Sequence, residues 1–313
     1  PLEAPLSVTF TTAASASVRS QIAFHQLSGG GDTPPGIYAI NPDGTGATLL
    51  VNDFNDGTGE PAWSPDGRRL AFVSGRHQMY GFPGAVAVYV MNADGSRLTR
   101  LTNSPAPDGS PAWSPDGTKI AFSRLTCMNP DCTQQGYSAV YTVNVDGTGL
   151  TRLTDPVGVG YDAWPTWSPD GTKIAFVRAS ASTWALSDLY VMNADGSNLV
   201  RLTAGQDAVW TPAWSPDGRR IAYARAPYFT GIGDFDLYIM NADGSHVRQL
   251  TSGPSADWSP SWSPDGQRIV FYSEGRDPGQ SIFIIGADGS GLTRVTDDPY
   301  GLTTPNWSHA PSP

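Results

Sequence analysis

The chain has 313 residues, enough for two domains, with 35 Gly, 27 Pro and only 15% charged residues, a net charge of -10 and a pI near 4.7. That acidity argues against a general nucleic-acid binder, which needs clustered cationic surface to neutralise phosphates. No apolar stretch reaches the length of a membrane span, the longest lying near Ala85 to Met91, and no window keeps a long helical period, so a turn-rich all-β protein is expected.

Residues 1–20, rich in Ala, Ser and Thr, carry no motif and are expected to be a leader or tether. Gln21-Ile22-Ala23-Phe24 has the β-branched and aromatic bias of a buried strand. Ile37 to Ile40, the turn Asn41-Pro42-Asp43-Gly44 and Thr48 to Val51 add two more strands. Then one pentapeptide takes over: Trp-Ser-Pro-Asp-Gly begins at Trp63, Trp113, Trp167, Trp214 and Trp262 and survives in part as Trp307-Ser308. Ser-Pro-Asp-Gly is turn chemistry, because Pro presets φ, Asp bonds its own backbone and Gly accepts φ > 0. Each turn feeds an apolar run, starting at Leu70, Ile120, Ile174, Ile221 and Ile269, so the pentapeptide reads as the bend of a β-hairpin. A third strand with an Asp-Gly turn follows at Tyr89 to Gly95, Tyr141 to Gly147, Tyr190 to Gly196, Tyr238 to Gly244 and Phe283 to Gly289. Fourth strands follow at Leu98, Leu150, Leu199, Val247 and Leu292.

Four strands in units spaced 45 to 54 residues between tryptophans is the period of propeller blades. The expected fold is therefore all-β, a six-bladed β-propeller of four-stranded antiparallel blades. Pro305 to Ser308 offers an opening strand with no second strand, and the N-terminal run offers the reverse. These terminal strands are expected to share one blade and close the ring, which removes two unpaired sheet edges. Residues 21–308 would then be a single propeller domain and 309–313 a C-terminal tail.

Trp-Ser-Pro-Asp-Gly, Ile-Ala-Phe, Tyr-Val-Met-Asn-Ala-Asp-Gly and Leu-Thr-Arg-Leu-Thr together resemble the propeller repeat of the TolB family, over about residues 20 to 308. The resemblance implies a propeller and an extracytoplasmic, periplasmic or secreted, location. No counterpart of the family protein's N-terminal domain precedes Gln21, so a stand-alone propeller is expected. Similar repeats precede serine peptidase domains, but no Gly-x-Ser-x-Gly elbow is found here, and peptidase activity is not expected.

The two repeated turns join strands one to two and three to four, so alternating strand direction puts them on one end of the ring, the regular face. The variable face opposite collects the irregular loops 26–36, 74–85, 124–138, 178–187, 225–234 and 273–280. Tyr161, Trp164, Trp184, Trp210 and Tyr228, with His77, are candidate ligand contacts on that face. Aromatics among polar groups stack on sugar rings or anchor a partner peptide, and the same rings also suit packing between blades. Arg124, Arg178 and Arg225 share one register, two residues past the second-strand aromatic, while Asp108, Asp162 and Asp257 lie five residues before their blade tryptophans. One reading makes these charges a ring of Arg–Asp pairs stapling adjacent blades. The other gives an anionic ligand to the arginines and a calcium ion to the carboxylates, although the carboxylates are spread over several blades without an EF-hand loop.

Cys127 and Cys132 are the only cysteines and flank the turn-rich Asn129-Pro130-Asp131. A disulfide between them is expected, in an oxidising compartment, against the alternative of two reduced thiols. The histidines, His25, His77, His246 and His309, match no metal, phosphate-loop or nucleophile motif, and no cofactor is required. Three functions remain: a protein-interaction module, a carbohydrate-binding protein, and a glycan-cleaving hydrolase or lyase with its site at the channel mouth. The first two, with a protein or polysaccharide partner bound by a monomer through the variable face, are the favoured reading.

Overall fold

The computed structural model describes residues 20–27, 34–52, 58–75, 86–127, 135–156, 160–180, 183–205, 207–227, 235–276, 280–296 and 302–308, and within them every regular element is a strand. The chain runs through β1 (Ile22–Gln26), β2 (Gly36–Ile40) and β3 (Thr48–Asn52), then β4 (Gly59–Trp63), β5 (Arg69–Ser74), β6 (Ala87–Asn92) and β7 (Thr99–Arg100). Next come β8 (Asp108–Trp113), β9 (Lys119–Cys127), β10 (Gln135–Asn144) and β11 (Thr151–Arg152), followed by β12 (Gly160–Trp167), β13 (Lys173–Ser180), β14 (Thr183–Asn193) and β15 (Val200–Arg201). The last stretch holds β16 (Asp207–Trp214), β17 (Arg220–Pro227), β18 (Asp236–Asn241) and β19 (Arg248–Gln249), then β20 (Ala256–Trp262), β21 (Arg268–Glu274), β22 (Gln280–Gly286) and β23 (Thr293–Arg294), and finally β24 (Leu302–Trp307).

The fold is an all-β propeller, but six separate four-stranded blades are not what the structure shows. Hydrogen bonding gives four four-stranded sheets, β24-β1-β2-β3, β4 to β7, β16 to β19 and β20 to β23, and one eight-stranded sheet holding β8 to β15. The merger rests on one bridge between the early part of β10 and β12. There Ser138 pairs in parallel with Tyr161, and the Ser138 hydroxyl donates to the Asp162 carbonyl at 2.7 Å.

The turns form as their residues dictate. In Ser64-Pro65-Asp66-Gly67 the Gly67 N–H donates to the Ser64 carbonyl at 2.8 Å, the Ser64 hydroxyl donates to Asp66 at 2.6 Å, and the Arg69 N–H donates back to the Ser64 hydroxyl at 2.9 Å. Gly67 sits at φ 64°, where a Cβ is disfavoured. The second turn leans on the first: the Ala93 N–H donates to the Arg68 carbonyl at 2.8 Å, and Ala194 to Thr172 and Ala242 to Arg219 repeat the bond. Both turns therefore lie at one end of the ring.

Packing between sheets supplies the core. Second-strand aromatics stack on third-strand aromatics within a sheet, as in Phe72 on Tyr89 at 5.8 Å and Phe176 on Tyr190 at 5.9 Å. Ile22, Phe24 and Trp307 pack against Val270, Ile282 and Ile284 of the adjacent sheet. Each such side chain contributes about 1.5–3 kcal/mol on full burial. Closure is completed by β24, which pairs antiparallel with β1, and by Gly44 at φ 82°, where a Cβ would lie 2.6 Å from the Val295 carbonyl oxygen. The first strands β4, β8, β12, β16, β20 and β24 each touch the next, and β24 touches β4, so together they wall a central channel.

Candidate functional site

Each channel-lining strand carries a bulge at the same place. The register breaks between Gly59 and Ala62, Gly109 and Ala112, Ala163 and Thr166, Trp210 and Ala213, and Trp258 and Ser261, and again in β24. At each break a non-glycine residue has positive φ: Glu60 at 52°, Ser110 at 53°, Trp164 at 52°, Thr211 at 47°, Ser259 at 53° and Thr304 at 48°. A proline follows every one of them, two residues before the blade tryptophan. Proline cannot donate to a sheet ladder, so the bulge is where a strand can accommodate it. These six residues and their prolines line a cavity of about 190 Å³ within the channel, and a second space of about 350 Å³ continues it toward the tryptophans and turn prolines of the regular face.

The ring of bulge residues is hydrogen-bonded from strand to strand. The Ser259 N–H donates to the Thr211 hydroxyl at 3.1 Å, and the Ser110 N–H donates to the Glu60 carboxylate at 2.5 Å. Burial pushes the Glu60 carboxyl above its ordinary range, and the bonds from Ser110 offset this in part. Sequence reasoning missed this ring, although the proline two places before each tryptophan was its signal.

Toward the variable face, the charges assigned from sequence come together as pairs. Arg124 donates to both oxygens of Asp108 at 2.6 and 2.9 Å, and Arg178 to both oxygens of Asp162 at 2.6 and 2.7 Å. Arg225 bonds Asp207 at 2.6 Å, and Asp257 is held by Arg276 and by the Ser273 hydroxyl. These pairs join the first two strands of one sheet, as the Asp108↔Arg124 and Asp162↔Arg178 registers show, or tie a first strand to the end of its own hairpin. They do not staple neighbouring blades. The Asp207 and Arg276 partners escaped the sequence because they stand outside the shared register: Asp207 lies seven residues before its tryptophan, and Arg276 five beyond Phe271.

Burial raises the Asp108 carboxyl above its usual value although Arg124 pulls it down. Asp236, facing Arg225 across β17 and β18, is pushed up to about 6 by burial and then by the nearby Asp257 charge. Among the described residues no three His, Cys, Asp or Glu side chains converge as a metal site, and Asp108, Asp162 and Asp257 are not brought together.

The aromatic candidates divide. Trp164 and Trp210 meet with ring centroids 5.6 Å apart, and Trp210 stacks on Trp258 at 5.7 Å and 4°. Trp210 and Trp258 also pack against Phe235 and the core of their sheets, so part of this cluster is structural. Trp164 lines the channel cavity. Tyr161 stands in β12 and is half-buried. Trp184 belongs to β14, but its side chain, His77, Tyr228 and Cys132 lie outside the described residues. Cys127 ends β9, in register with Gln135.

Three stretches, residues 19–130, 128–226 and 226–312, match the TolB beta propeller domain family. An uncharacterised protein of Agrobacterium fabrum (strain C58) is 34% identical over 159 residues, covering 48% of this chain and 48% of that protein. A TolB homologue of Chlorobium luteolum is 30% identical over 143 residues, covering 46% of this chain and 28% of that protein. The chain thus spans about half or less of these relatives' length. The crystal structure of TolB from Acinetobacter baumannii superposes with a TM-score of 0.74 at 21% identity, over 94% of this chain and 67% of that one, a likeness of fold.

Proposed function

Because the chain belongs to the TolB beta propeller domain family, we propose that it is a protein-interaction module, working outside the cytoplasm, whose partner docks on the variable face. The observation that carries this reading is the asymmetry of the two ends. The regular face repeats one set of turn bonds, as at Ser64–Asp66, Ser114–Asp116 and Ser168–Asp170, which is what folding alone requires. The other end departs from repetition in loop length and in its charges, with the Arg225–Asp207 pair left more open, at 37% and 22% exposure, than the Arg178–Asp162 pair at 18% and 0%. Recognition on rigid scaffolds is concentrated in such variable loops. Tyr161 and the more open Arg225 are two of the described residues assigned to contact, and aromatic and Arg anchors commonly cost about 2 kcal/mol or more on truncation.

The test immobilises the chain, captures partners from a bacterial envelope extract, identifies them and measures their affinity by calorimetry. The double change Tyr161→Ala with Arg225→Ala is expected to weaken binding more than tenfold, and Arg219→Ala on the regular face to leave it unchanged. Loss through Arg219 alone, or turnover of a polysaccharide by the purified chain, refutes the reading. A disulfide between Cys127 and Cys132 belongs with an extracytoplasmic site of action; labelling of both thiols in unreduced, denatured protein would exclude it.

A further inference from the structure

We propose that the channel cavity around Glu60 and Trp164 is a binding site for a guanidinium or alkylammonium group. Four buried or half-buried aspartates, Asp108, Asp162, Asp207 and Asp257, each have an arginine partner. Glu60 differs: its partners are the N–H and hydroxyl of Ser110, and among the described residues no cation faces it. A carboxylate taken out of bulk water without a counterion is costly, and proteins keep such groups paired or at sites that receive a charge.

Folding does not demand the charge. At the equivalent contact in the ring, a neutral Thr211 hydroxyl accepts the Ser259 N–H. The other bulge residues are Ser110, Trp164, Thr211, Ser259 and Thr304, so Glu60 is the one carboxylate in the ring. Its side chain is only partly covered, and the space it borders is the lumen.

The rest of the cavity selects the kind of cation. One wall is the Trp164 indole and much of the remainder is the ring of prolines, from Pro61 to Pro305. An aromatic face and apolar rings favour a weakly hydrated, planar or alkyl-substituted cation over a small hard ion, which needs six or more oxygen ligands. Hydroxyls stand ready for the remaining N–H donors, and Thr304 Oγ1 is buried with no hydrogen-bond partner among the described residues. About 190 Å³ admits one side chain or a short alkyl cation. This site is independent of the variable-face reading, since its test uses small probes and other residues.

The experiment titrates propylguanidinium, its neutral isostere propylurea, and a blocked Ala-Arg-Ala tripeptide into the chain, read by calorimetry and ligand-observed NMR. Propylguanidinium is expected to bind in the millimolar range and propylurea at least tenfold more weakly. Glu60→Gln, which retains an oxygen for the Ser110 N–H, should lose tenfold or more in affinity without lowering the melting temperature, and Trp164→Leu should lose severalfold. A tripeptide at least tenfold tighter than propylguanidinium assigns the site to an extended partner chain, and equal affinity assigns it to a free small cation. Equal binding of propylurea, unchanged affinity in Glu60→Gln, or displacement of the probe by calcium chloride at lower concentration than by the probe's own congeners overturns the proposal.

Discussion

Replacing Arg124 by Met tests whether the buried charge pairs hold the sheets or merely decorate them. The Asp108 side chain is 1% exposed and Arg124 12%, so removing the guanidinium strands a carboxylate that water cannot reach. Breaking a buried pair from one side costs about 3–5 kcal/mol, a large share of the roughly 5–15 kcal/mol that stabilises a typical domain. Arg124 also lies over the rings of Phe122 at 5.1 Å and Tyr141 at 5.3 Å, worth about 0.5–1 kcal/mol, while Met preserves the packing of the stem. The assay is urea unfolding followed by tryptophan fluorescence. Two internal comparisons sharpen it. Asp108→Asn combined with Arg124→Met should recover much of the loss, because no charge is then stranded. Arg225→Met, at the more exposed pair, should cost about 1 kcal/mol or less. Asp108 already titrates above the ordinary carboxyl range, and without Arg124 it moves higher. A group whose folded value is raised is tolerated when protonated, so the Arg124→Met deficit should shrink as the pH falls through that value. A cost below about 1 kcal/mol at neutral pH, or a double variant no better than the single, would falsify the argument.

Trp307 is fully buried, donates from Nε1 to the Ser20 hydroxyl at 2.5 Å and donates from its backbone N–H to the Ser261 hydroxyl at 2.9 Å. Trp307→Ala should cost about 3–5 kcal/mol and expose the edge of β1, whereas Leu98→Ala at the exposed periphery should stay within about 0.5 kcal/mol; equal melting temperatures for the two would remove β24 as the closing element. Asp236, at about 6, is raised above the roughly 3.9 of an unfolded aspartate, so its own contribution to stability should decline as pH rises from about 4 through 6. Asp236 faces Arg225, Asp257, Gln249 and Thr251, and Asp236→Asn should match the wild type near pH 4 and exceed it near pH 7; a difference that stays flat across that window refutes the assignment.

The bond in which Trp307 N–H serves as the donor to Ser261 Oγ shows how far local sequence carries and where it stops. The strands, both turn types and the common face of those turns were legible, because each follows from short-range rules: short β-branched and aromatic apolar runs, Pro and Asp in a tight turn, and Gly at positive φ. The pairing of β24 with β1 was legible from two half-units at opposite ends of the chain. How strands group into sheets was not, since a single bridge between Ser138 and Tyr161 joins two units into one sheet, a contact that strand length does not predict because β14, longer at 11 residues, is not joined to β16 in one sheet. The Arg and Asp positions could be read from register, but their partners could not: Asp257 reaches past Ser273 to Arg276, a choice made by loop geometry. Glu60 shows the limit most plainly. Pro61 marks its position in the repeat, but only the bulge repeated around a closed ring borders the channel with this one carboxylate, which faces no cation among the described residues.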